Sequence, residues 1–113
     1  MTNAPDLTGM PDEPVPPMLT QRLHAEDPAA TVAYDIAIEA INQAIGCCTA
    51  LIDRELKKPQ PDQSHIRVDE WRTSRGEAVA TRRTLQVYDT EAVEQATRRY
   101  SELAQQLEKV FGL

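Results

Sequence analysis

Apolar residues recur at steps of four and three from Tyr34 through Ile38, Ile41, Ile45 and Cys48 to Ile52. No other feature constrains the fold as much. A second series, Val93, Ala96, Tyr100, Leu103, Leu107 and Val110, alternates steps of three and four. Each helical residue turns the chain by about 100°, so each series forms one stripe on an α-helix. Two apolar stripes must be buried against each other, against a third element, or against a partner. The sequence carries no strand alternation and no internal repeat, so the expected class is all-α.

Local signals place three helices, over residues 28–58, 63–86 and 89–111. Asp27 can cap the free N–H groups of the first, and Pro28 suits its first position. Gly46 interrupts that helix at a cost of about 1 kcal/mol relative to alanine. Close approach of another helix is its expected reason. Lys57 and Lys58 complement the helix C-terminus, and Pro59 and Pro61 end it. Asp62 or Ser64 opens the second helix. Its thinner stripe is Ile66, Trp71, Ala78 and Leu85, and Gly76 weakens it further. Asp89 caps the third helix, and Gly112 ends it. Three helices joined by short loops predict an antiparallel three-helix bundle over residues 27–113.

Residues 1–26 read differently. They hold five of the eight prolines (Pro5, Pro11, Pro14, Pro16 and Pro17) and no helical or strand period. The expectation is a flexible, proline-rich, acidic arm. What remains is a small domain with few aromatic residues, of the kind that is marginal alone.

The chain of 113 residues carries 18 acidic and 12 basic side chains, for a net charge of −6. The segment through Asp27 contributes −4, and only residues 59–88, at +1, are net basic. An acidic protein repels phosphate backbones, so nucleic acid is an improbable partner. Arg67, Arg72, Arg75, Arg82 and Arg83 are a local exception. Adjacent Cys47 and Cys48 do not form a disulfide framework, and the cytoplasm is the expected compartment. No signal peptide and no membrane-spanning apolar run is expected.

Few residues suggest chemistry. His24 and His65 are the only histidines, and neighbouring helical cysteines point about 100° apart, so no metal site is expected. Cys48 reads as a core residue and Cys47 as a boundary residue. There is no phosphate loop and no nucleophile elbow, so neither catalysis nor a cofactor is expected. Candidate partner contacts are Asp35, Glu39 and Asn42 on the first helix, and Trp71 on the second. Each has a plainer alternative: a solvated flank for the first three and a core or lid position for Trp71.

The segments Ile41-Asn42-x-x-Ile45, Pro61-Asp62-x-x-x-Ile66, Trp71-x-x-x-Arg75 and Arg98-Arg99-Tyr100-Ser101 resemble small actinobacterial proteins encoded beside zeta-type toxin kinases. The resemblance spans residues 33–100. It implies an epsilon-type antitoxin, a three-helix bundle whose helix covers the nucleotide site of a P-loop kinase that phosphorylates UDP-N-acetylglucosamine. An acidic surface suits a basic phosphate pocket. The acidic, proline-rich arm departs from that family, so either the arm or the first helix qualifies as the blocking element. Two other readings stand beside it: a self-associating helical adaptor, and a small DNA-binding regulator using the middle arginine cluster.

Overall fold

The computed structural model describes residues 27–113; the expected arm, residues 1–26, lies outside the described residues. Three helices make up the fold: α1 (Pro28–Leu56), α2 (His65–Thr84) and α3 (Thr90–Phe111). A 3-10 turn, Gln60–Asp62, joins α1 to α2, and there is no strand among the described residues. α1 packs against both α2 and α3.

The helix ends follow from local chemistry. The Asp27 carboxylate accepts from the Ala29 N–H at 3.0 Å, with Pro28 at the first helical position. Asp89 accepts from Ala92 N–H at 3.2 Å at the start of α3. Ser64, rather than Asp62, caps α2, its hydroxyl accepting from Arg67 N–H at 3.3 Å. Pro61 and Asp62 are taken up by the 3-10 turn, so α2 begins two residues later than expected. α2 also stops at Thr84, because Leu85 turns to extended backbone and tucks its side chain into the core. Gly112 ends α3 with a φ of 68°, the left-handed region in which glycine is least strained.

The buried faces are rotated from the stripes read in the sequence. On α1 the buried residues are Ala37, Ala40, Ile41, Ala44, Cys47, Cys48, Leu51, Ile52 and Glu55, while Tyr34, Ile38 and Ile45 are only half-buried at the flank. Because α1 lies between two helices, its buried face is wide. It takes in a run of small residues that a count of large apolar side chains overlooks. Cys47 is buried, not a boundary residue. On α3, Ala104 is buried where Leu103 is half-buried, and Val110 is 62% exposed. A strict seven-residue repeat drifts by about 20° per heptad on a straight helix, which carries Val110 off the core by the last turn. On α2, Val68 is buried and Ile66 is 75% exposed, although Ile66 was expected in the stripe.

Two further expectations are corrected. Gly46 is exposed, and a Cβ built there meets nothing within 4 Å, so no neighbouring helix explains it. α1 is long and apolar enough, with a mean hydropathy of 1.3 over an 18-residue window, to pass the length and composition test for a membrane span. Several of the residues behind that value, Ala37, Ala40, Ile41, Ala44 and Ile52, are buried in the core between the helices. The core helix of a bundle passes the same test.

These features give opposite predictions for two small residues on one helix. Gly46→Ala should raise stability by about 1 kcal/mol, since it restores helix propensity in open space. Ala44→Leu should lower it by about 1–3 kcal/mol through overpacking of a fully buried position. Urea titration followed by circular dichroism measures both.

Candidate partner-binding surface

The outer stripe of α1 carries the first three candidate residues. Asp35, Glu39 and Asn42 are exposed and share one face by their spacing of four and three. Between them stand two further apolar residues, Val32 at 57% and Ile36 at 52% exposure. Their four-residue spacing was visible in the sequence, but it lies off the main seam. Ile36 also forms one side of a shallow groove of about 360 Å³ between α1 and α3, completed by Ala33, Val93, Glu94, Thr97 and Arg98. Neither Asp35 nor Glu39 has an ion-pair partner among the described residues. Asn42 is less free: its Oδ1 accepts from Arg82 Nη1 at 2.6 Å, tying α1 to α2.

Trp71 stands apart from this group. It is 6% exposed and belongs to the core. Its indole meets the Phe111 ring edge-on, with centroids 5.3 Å apart, and the Arg67 guanidinium covers the other ring at 5.3 Å. Such a pair contributes about 0.5–1.5 kcal/mol beyond the area it buries. Trp71 therefore fastens the start of α2 to the end of α3.

The line between α2 and α3 is more open. The buried Tyr100 sits at its floor, and its hydroxyl lies 3.0 Å from that of Thr81. Arg99 and Glu77 bridge the two helices at 3.0 Å, but both are largely exposed, so the ion pair contributes at most about 1 kcal/mol. No group of three or more His, Cys, Asp and Glu residues comes together among the described residues. Burial pushes both cysteine thiols up, helped by Glu108 beside Cys47 and by Cys47 beside Cys48. At neutral pH they stay protonated and make poor nucleophiles.

One charged group matters more than the sequence suggested. Glu55 is 4% exposed at the end of α1. Its carboxylate accepts from the Ser64 backbone N–H at 2.8 Å and from Lys58 Nζ at 3.1 Å. A capping box normally draws its second carboxylate from three residues into the same helix, but that position is Arg67 here. Glu55 supplies the carboxylate from α1 instead, so one side chain closes the α1–α2 corner.

Comparison with protein-family models finds no match, and the same holds for comparison with curated proteins and with solved structures.

The Ser64 N–H, followed by Lys58, holds the Glu55 carboxyl below its ordinary range. A depressed folded-state pKa contributes stability above the unfolded carboxyl pKa, and that contribution is lost as pH falls through the folded value. Glu55→Gln should therefore destabilise the protein at pH 7 and narrow its gap from the parent in acid. Thermal melts between pH 7 and pH 3 measure the difference, and an equal gap at every pH would rule out this role.

Proposed function

We propose that this chain is a non-catalytic, cytoplasmic antitoxin that neutralises a zeta-type toxin kinase by covering its nucleotide or substrate site. The outer stripe of α1 carries the reading. Val32 and Ile36 offer apolar surface for a dry contact, and Asp35 and Glu39 beside them offer two carboxylates uncommitted to ion pairs. Carboxylates of this kind suit a basic pocket built for phosphate. The family resemblance supplies the class of partner, and the stripe supplies a surface of suitable chemistry.

In this reading the stripe is displayed by an antiparallel three-helix bundle. Three cross-links support that arrangement. Asn42 meets Arg82, Thr49 meets Arg75, and Glu55 meets Ser64, in opposite chain order along α1 and α2. Gln43 meets Glu108 and Arg54 meets the Phe111 carbonyl, in the same order along α1 and α3. Self-association is a second reading, favoured by the same exposed Val32 and Ile36.

Added to a zeta-type kinase from the same genome, the full chain should suppress phosphorylation of UDP-N-acetylglucosamine at equimolar ratio. The variant carrying Asp35→Lys and Glu39→Lys should need at least tenfold more protein, about 1.4 kcal/mol of lost binding. Full kinase activity at saturating antitoxin would end the proposal. A dimer in sedimentation, dispersed by Ile36→Lys, would favour self-association.

A further inference from the structure

α1 packs along both of the other helices, but the backbones of α2 and α3 barely approach each other. Side-chain links such as Thr81–Tyr100 and Glu77–Arg99 span the gap between them. The gap is an open cleft. One cavity of about 360 Å³ lies toward the α2–α3 corner, and a second of about 460 Å³ lies along the middle. The two share Gln95, Arg99 and Tyr100, so the cleft is continuous. None of the residues lining either cavity belongs to α1, so this face is distinct from the outer stripe of that helix.

The two ends of the cleft differ in shape. Toward the corner, Ala92, Ala96, Thr81 and Leu85 line the first cavity, and small or buried side chains leave its space open. At the opposite end Ile66 and Val110 stand out, at 75% and 62% exposure, more than any other large apolar residue described. Helical spacing puts both on the walls of the cleft. Ile66 comes about three turns before Glu77, and Val110 about two turns after Leu103. Glu77 and Leu103 both line the second cavity.

An apolar knob at one end and a hole at the other make this face complementary to itself. On α3 the two ends are marked by Val110 and Ala92, with residue 101 midway. On α2 they are marked by Ile66 and Thr84, with residue 75 midway. Glu77 and Arg99, which bridge the helices at 3.0 Å, lie beside both midpoints, so one two-fold axis serves both helices. A two-fold interface pairs residue i with j and j with i. Rotation about this axis carries the knob of each copy onto the hole of the other.

Charge and size agree with a second copy as the occupant. The charged side chains along the middle of the cleft are Glu77 and Glu102 against Arg98 and Arg99, a balanced set on a chain of net charge −6. Arg99 and Glu102 straddle residue 101, so opposite signs face each other across the axis. α2 has 20 residues, a length of about 30 Å. A face that long and two helices wide covers about 600 Å² per copy, or about 1,200 Å² in total, at the lower end of what stable interfaces bury.

We propose that two copies of this chain pair antiparallel through their α2–α3 clefts, with Ile66 and Val110 of each seated at the Ala92 end of the other. This pairing leaves the outer stripe of α1 free in both copies and does not depend on the identity of any other partner.

Sedimentation equilibrium of the full chain, from about 1 µM to about 1 mM, should show a monomer–dimer equilibrium. Val110→Lys changes an exposed position and should raise the dissociation constant at least about tenfold, with helical content unchanged by circular dichroism. Ala92→Glu should do the same. Its position is the third of α3, where a glutamate favours the helix, so the fold holds. A mixture of the two variants tests the register. The mixed dimer keeps one native end and gains a Lys–Glu pair at the other, so it should bind at least about tenfold more tightly than either variant binds itself. A parent chain that stays monomeric throughout would overturn the proposal, and so would a mixed pair no tighter than its components. A dimer dispersed by Ile36→Lys but not by Val110→Lys would overturn it as well, because α1 would then be the interface.

Discussion

Burial of one wide face of α1 is the constraint on which the rest of the structure depends. α1 touches both other helices, and its small residues Ala37, Ala40, Ala44, Cys47 and Cys48 form much of the core. Small side chains bring little apolar area each, so they contribute chiefly by letting neighbours approach. The larger residues come from elsewhere: Leu51 and Ile41 on α1 itself, Tyr100 and Val93 on α3, and Trp71 on α2. With one side of α1 committed to this packing, the opposite side is left to solvent. There Val32, Asp35, Ile36 and Glu39 stand together.

The polar contacts act on register rather than on bulk stability. Exposed hydrogen bonds and ion pairs contribute little each. Asn42–Arg82, Thr49–Arg75 and Glu55–Ser64 nonetheless set where α2 lies along α1. A slip of one residue would break all three at once. Glu55 differs from the other two in being buried, so losing its partner would leave a carboxylate desolvated as well as a corner unfastened.

Much of the fold was legible from residues with local effects. Asp27, Asp89 and Gly112 mark helix ends through backbone chemistry that needs no tertiary context, and each does so in the structure. Positions that depend on neighbours were less legible. Ile66 and Val110 match the helical period but lie outside the core, because period alone does not say where the partner helix sits. The alanine run of α1 was hidden by its small size. Gly46 looked like a site of close helix approach, yet the space beside it is open. Of the candidate site, Asp35 and Glu39 were readable as an exposed pair. Asn42's bond to Arg82 and the burial of Trp71 depend on how α2 docks, which no spacing in the sequence specifies.

The central claim is that the outer face of α1 is a surface made for another protein. Amide hydrogen exchange of the full-length chain, alone and mixed with a zeta-type kinase, tests it most directly. α1 already protects its backbone through its own hydrogen bonds, so a partner would show as added protection of the stretch it covers. The account predicts slower exchange over residues 32–43 on mixing, with α2 little changed. Unchanged exchange over those residues, or protection confined to another face, would contradict it.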